Sequence, residues 1–228
     1  MPSSNNPDSR GTLHWIHLGR IAYRDALALQ MQYSEARQEG RIPDTLFTLE
    51  HDPVITLGKR AKEDDVLLSE EALKARGIDL VHVDRGGEAT WHGPGQLVLY
   101  PILHIQEQEI FVSDLVRGLA GCIRDYLQSH AIESHWDDDH PGIWVDDRKI
   151  AAVGMRIQRG VSRHGAALNL TTAQDAFSVI VPCGLPEFGV TSVQQESGEA
   201  ISIESAAEDL SARFAAHFGF ERIACEHP

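Results

Sequence analysis

Three cysteines in 228 residues are too few for a disulfide framework or a four-cysteine zinc site. They fit a reducing compartment, where a thiol stays free for chemistry. Long apolar runs are missing as well. Mean hydropathy is -0.24, and no stretch approaches the ~20 apolar residues of a membrane-spanning helix. Positive charge is scarce: 20 Lys and Arg stand against 34 Asp and Glu, a net charge of -14. Such a chain repels nucleic acid and anionic membrane at long range, so neither is expected as a partner. Residues 1–10 lack the apolar core of a signal peptide and the arginine-rich pattern of a transit peptide. They read as a disordered leader of a cytoplasmic protein, ahead of a single domain over residues 11–228.

What is present is an ordinary globular composition, 42% apolar and 24% charged. Helical spacing runs over residues 20–38, with Gly40 as its stop, and over 113–129 behind Ser113 as N-cap. A shorter helix is expected over 69–75, capped by Ser69 and stopped at Gly77, and a last amphipathic one over 203–217, closed by Gly219. Strands are expected at 45–50, 54–57, 78–83, 97–105, 143–145, 150–157, 166–170 and 179–181. Helices at the start, middle and end of these strands give an α/β or α+β fold with a mixed sheet.

The three thiols differ in setting. Cys122 lies on the apolar stripe of the middle helix and reads as a core residue, whereas Cys225 sits in a tail expected to fray. Cys183 follows Val179-Ile180-Val181-Pro182 and precedes Gly184. Proline ends the ladder and glycine turns the chain, so this thiol sits where a substrate can reach it, or marks a plain structural turn. A reactive thiol needs a cation or base nearby. Residues 148–174 hold Arg148, Lys149, Arg156, Arg159 and Arg163 and no acid, so that span carries +5 and the rest of the chain -19. On one continuous strand, Lys149 shares parity with Val153, Met155 and Ile157 and faces the apolar side. A desolvated lysine there takes or shares a thiol proton.

Residues 85–96 hold four glycines and a proline between two strands. They match neither the phosphate loop nor the dinucleotide fingerprint. Thr90 and His92 inside the segment suit a floor against which a ligand packs, with His92 able to relay a proton. Small residues after His164 leave room for a slender apolar group, or equally mark the close packing of two elements. The run His135-Trp136-Asp137-Asp138-Asp139-His140 matches no metal-ligand spacing and reads as a solvated loop. The remaining histidines show no grouping.

Five motifs occur in order: Arg85-Gly86-Gly87-x-x-Thr90-x-His92-Gly93-Pro94-Gly95-Gln96, Pro141-Gly142-Ile143-Trp144-Val145, Arg148-Lys149-Ile150-Ala151-Ala152-Val153-Gly154, His164-Gly165-x-Ala167-Leu168-Asn169 and Pro182-Cys183-Gly184. Together they resemble the lipoyl(octanoyl) transferases, over roughly residues 45–195. The resemblance implies the fold shared with the catalytic domains of lipoate and biotin protein ligases, a single domain of curved mixed β-sheets flanked by helices. It implies octanoyl transfer from acyl carrier protein to a lysine of lipoyl domains, without ATP, cofactor or metal. The acceptors implied are the E2 subunits of 2-oxoacid dehydrogenases and the glycine cleavage H protein. By position, Cys183 matches the acyl-thioester nucleophile and Lys149 the residue that lowers its pKa. Arg85, Gly86, Gly87, Glu88, Ala89, Thr90, Trp91 and His92 match one substrate-binding segment. Ala152, Val153 and Gly154 match a second, and Gly165, Ala166 and Ala167 a third. Trp91, Leu99 and Ala166 depart from the family pattern. The rival readings are an ATP-dependent ligase on the same fold and a non-catalytic module that binds the acyl carrier.

Overall fold

Alternation of buried side chains builds the central layer. The structure, a computed structural model, describes residues 10–181 and 189–226. The larger sheet contains β1 (Thr12–Ile21), β2 (Asp44–His51), β6 (Gln96–Ile102), β7 (His135–Asp137), β8 (Gly142–Val145), β9 (Arg148–Gln158), β10 (Val161–Asn169) and β12 (Glu221–Ala224). Its order is β12-β1-β2-β6-β10-β9-β8-β7, and β11 (Gly189–Val190) adds to β9. The β12-β1, β1-β2 and β11-β9 pairs are parallel, and the others are antiparallel, so the sheet is mixed. A smaller sheet orders β4 (Asp79–His82), β3 (Val54–Leu57) and β5 (Ala89–His92) side by side.

Two helices cover one face of the large sheet. In α3 (Val112–Ser129), Leu115, Leu119, Ile123 and Leu127 recur at helical spacing and are buried. In α5 (Ile203–Phe218), Leu210, Phe214 and Phe218 do the same. Both pack on Leu13, Leu46, Leu97, Leu99 and Leu168. Ser202 caps α5 by accepting from Ser205 N–H, and Gly219 ends it at φ 73°. The other face carries Phe47, Val98 and Tyr100 and is covered by α1 (Tyr23–Gln38). A short helix, α2 (Glu70–Ala75), is capped by Ser69, and α4 (Val193–Ser197) follows β11.

Several expectations need correction. The first helix begins at Tyr23, because residues 12–21 form β1. A register shift between His17 and Arg20 breaks the period-two signal of that strand. The N-cap of α3 is Phe111, and Ser113 lies inside the first turn, bonded to Asp114. Residues 174–179 form a 3-10 turn, and Ile180 makes only an isolated bridge to Val66. A third of the glycine-rich segment, Ala89–His92, is the strand β5. Cys225 is half-buried, and its N–H donates to the Trp15 carbonyl at 2.8 Å. The expected leader falls almost entirely outside the described residues, as do Pro182, Cys183 and Gly184. No helix of the described residues is long and apolar enough to cross a membrane.

Candidate active site

A cavity of about 290 Å³ lies where β5 and the turn before it meet β9 and β10. Its floor is made of small residues in cross-strand pairs, Gly154 opposite Gly165 and Ala152 opposite Ala167. The glycine-rich turn lies directly on this floor. Gly86 N–H donates to the Met155 carbonyl at 3.2 Å, and a Cβ on Gly154 would stand 3.0 Å from the Gly86 carbonyl oxygen. Arg85 clamps the turn from behind by donating to the backbone and hydroxyl oxygens of Thr56, each at 2.8 Å.

Of the substrate-binding residues expected from sequence, all but Trp91 border this cavity. Thr90 and His92 line it, while Trp91, between them on β5, packs against Phe177 at 5.5 Å in a separate apolar cluster. Strand alternation is the cause.

Lys149 lines the same cavity and is buried. Strand β9 is continuous, as expected, but the parity argument fails. Trp144 pairs with Lys149 and Ile143 with Ala151, so Ile150 is an extra residue bulged out of the ladder. Ile150 turns into the α3 and α5 core. The bulge moves Lys149 to the face of Ala152 and Gly142, the cavity side. A Cβ on Gly142 would approach Lys149 Cε to 2.8 Å, so only glycine leaves the stem room. Lys149 Nζ donates to the Pro141 carbonyl at 3.3 Å and sits 4.6 Å from the Trp144 ring centre.

Cys183 lies outside the described residues, but both flanks of its segment are anchored. Val181 N–H donates to the Asp65 carbonyl at 2.9 Å. Gly189 and Val190 pair with Arg148 and Lys149. Of the other thiols, Cys122 is a core residue, and burial pushes its pKa up to about 12.

Sequence reasoning missed a cluster of rings on the cavity wall. Tyr23 of α1, His92 of β5, Tyr100 of β6 and His164 of β10 line it, and His51 of β2 packs against the Tyr23 and His92 rings. The Tyr23 ring stacks on His92 at 6.0 Å and packs on His51 at 4.9 Å. His51 Nε2 bonds the Tyr100 hydroxyl at 2.8 Å, and His164 Nε2 bonds Asp84 at 2.9 Å. Burial holds all three imidazoles below their ordinary pKa, His51 at about 4. Burial also raises Tyr23, to about 12, and raises Tyr100 well above its ordinary value. The hydrogen bond from His164, with the Arg163 charge, keeps Asp84 ionised. The wall is therefore neutral near pH 7 apart from Arg85 and the Asp84 group. Only His92 of the five stood out in the sequence; in the His164-Gly165 motif the small residues drew notice and the imidazole did not. His164 adopts φ 57°, which turns its ring toward α1.

The basic span does not form an open strip. Arg148 is paired with Glu196 at 2.7 Å, and Arg163 with Asp84 at 2.6 Å. The loop after β3 carries exposed Lys59 and Lys62, with Arg60 between them at the cavity edge and paired with Glu88 at 2.9 Å. The run 135–140, expected as a solvated loop, begins as the strand β7; Asp137 accepts from the backbone N–H groups of Asp139 and His140, Asp138 pairs with Arg117, and Asp139 and His140 border the cavity.

The lipoyl protein ligase A/B catalytic domain matches residues 22–215 of the chain. An octanoyltransferase of Alkaliphilus metalliredigens is 41% identical over 212 residues, covering 92% of this chain and 97% of that protein. One from Chloroflexus aurantiacus is 41% identical over 213 residues, covering 92% and 96%. Among solved structures, one describes an archaeal lipoylation system, a bipartite lipoate protein ligase and its E2 lipoyl domain from Thermoplasma acidophilum. A chain of it aligns with TM-score 0.73 at 17% identity, covering 95% of this chain and 88% of that one, a likeness of fold.

Proposed function

The chain belongs to the lipoyl protein ligase A/B catalytic domain family and is an octanoyltransferase, and we propose that it works through a Cys183 thioester. The observation that carries this reading is Lys149, bulged onto the cavity side of β9, with Val190, just past the Cys183 segment, paired to its backbone.

The donor is octanoyl-acyl carrier protein. Lys149 takes the Cys183 proton, the thiolate attacks the octanoyl carbonyl, and the carrier sulfur leaves with a proton. One thioester replaces another, so the step is nearly isoenergetic and needs no nucleotide. The octanoyl chain lies over Gly154, Gly165, Ala152 and Ala167; at ~0.8 kcal/mol per buried CH₂ it contributes several kcal/mol of binding. The acceptor is a lysine of a lipoyl domain, on an E2 subunit of a 2-oxoacid dehydrogenase or on the glycine cleavage H protein. Its amine attacks the thioester carbonyl, the Cys183 thiolate is expelled, and His92 or Lys149 takes the amine proton. The amide formed is more stable than the thioester, so transfer runs downhill.

Neutral rings on the wall suit an apolar acyl group better than a nucleotide phosphate. Acidic carriers meet the Lys59, Arg60 and Lys62 loop at the rim. The test is to supply octanoyl carrier and lipoyl domain without nucleotide. Transfer then proceeds, and Cys183→Ala abolishes it. A requirement for ATP, or transfer by Cys183→Ala, refutes the reading.

A further inference from the structure

His92 is joined to the backbone at Thr191, beside Lys149, by a chain of buried amides whose hydrogen-bond directions can be worked out link by link. The chain begins at the Thr191 carbonyl, which can only accept. Asn169 Nδ2 donates to it at 2.9 Å, so Asn169 Oδ1 must face the other way. Gln96 Nε2 meets that oxygen at 2.9 Å and also reaches the Trp91 carbonyl at 3.3 Å. Both of those partners are acceptors, which fixes the Gln96 amide and leaves Oε1 facing His92 Nδ1 at 2.6 Å. An amide oxygen accepts, so Nδ1 carries the proton. Gln96, Asn169 and Thr191 are all buried, so water does not offer the amides an alternative orientation.

We propose that Gln96 and Asn169 are positioning residues that hold His92 as the Nδ1–H tautomer, with the Nε2 lone pair available to the cavity as a proton acceptor. The inference rests on the octanoyl-transfer reading for what Nε2 does, though not for which nitrogen is protonated. It deepens that reading by dividing the work. Lys149 serves the thiol in the first half-reaction, and neutral His92 accepts the acceptor amine's proton in the second. Register favours the arrangement, since Gln96 and Asn169 are direct partners across β6 and β10. The chain's origin is also tied to the site, because Thr191 N–H donates to the Lys149 carbonyl at 3.0 Å. Backbone leaving the Cys183 segment therefore helps to set the state of the base. The groups facing His92 from the elements around it are Tyr23, His51, Arg85, Tyr100 and His164, together with Lys149 across the cavity. Burial and these neighbours keep the imidazole neutral.

The test has two arms. Long-range ¹H–¹⁵N correlation on the intact wild-type protein at pH 7 reads the tautomer directly; His92 is expected to be protonated at Nδ1 and bare at Nε2. A proton on Nε2 overturns the proposal, whatever the activity. Gln96→Met removes the acceptor. Transfer from preformed acyl-enzyme to the lipoyl-domain lysine is then expected to fall about 10- to 100-fold, while acylation by the donor changes little. Gln96→Glu keeps an acceptor for Nδ1 but sets its other carboxyl oxygen against two acceptors, Asn169 Oδ1 and the Trp91 carbonyl, so it should hold a proton there and, as a neutral acid, recover transfer without moving the acidic limb of the pH–rate profile. Unchanged deacylation in Gln96→Met, or equal loss of both half-reactions, contradicts the assignment. Absence of any acyl-enzyme in the wild type overturns the octanoyl-transfer reading and leaves the tautomer result standing.

Discussion

Lys149 owes its place to one bulged residue and one glycine. Ile150 is taken out of the ladder, and Gly142 has no Cβ to collide with the lysine stem. Lys149→Ala is expected to slow formation of the Cys183 thioester by about 100-fold or more, with little change in thermal stability; near-normal acylation would remove its role. Cys122 gives the opposite expectation. Its buried thiol is held up at about 12, so iodoacetamide at pH 7 should leave it unlabelled in the native protein and label it after unfolding. At this scale the chain was partly legible. Arg85, Thr90, His92 and Lys149 stood out because their residue types are unusual in glycine-rich or apolar surroundings. Tyr23, His51 and Tyr100 did not, because they lie on three distant segments and only strand register brings their rings together.

Elements with strong periodicity were readable, as α3 and α5 show: an apolar stripe marks both, and Gly219 marks the end of α5. The strand β1 was not, since a register shift disrupts its alternation. The β9 parity was misjudged for the same physical reason, as one extra residue inverts every side chain on one side of it. Contact between elements depends on Gly165, which the sequence offered either as room for a slender apolar group or as close packing of two elements. A Cβ on Gly165 of β10 would stand 2.0 Å from the Leu99 carbonyl oxygen of β6 and 2.8 Å from Pro101 Cδ. Backbone cannot step aside as a flexible side chain can. Gly165→Ala should therefore cost about 1–3 kcal/mol, a lowered Tm that calorimetry reads directly, together with weaker octanoyl donor binding. An unchanged Tm would show that the two strands tolerate more separation than this packing implies.

For the whole molecule, burial of neutral histidines ties stability to pH. The folded pKa of His51 lies near 4, below its ordinary 6.5. The unfolded chain therefore binds a proton first, and stability held above about pH 6.5 is lost as pH falls toward 4. His51 alone accounts for about 3 kcal/mol across that window, and His92 and His164 shift in the same direction. Urea midpoints between pH 7 and 4 should fall, and His51→Gln should flatten the slope; an unflattened slope would exclude His51 as a contributor. The net charge of -14 also reads differently once the fold is known. Of the arginines in the 148–174 span, Arg148 is paired with Glu196 and Arg156 and Arg163 with Asp84, so encounter with an acidic carrier is assigned to the rim loop. Lys59→Glu with Lys62→Glu should lower kcat/KM for the carrier at low salt and little at high salt; a salt-independent effect would count against docking there. All of this converges on one thiol. Intact-mass and peptide mass spectrometry after incubation with octanoyl carrier alone should find a single octanoyl group, on Cys183, that is discharged when a lipoyl domain is added. Octanoyl on Cys122 or Cys225, or none on any cysteine while transfer proceeds, would contradict the account.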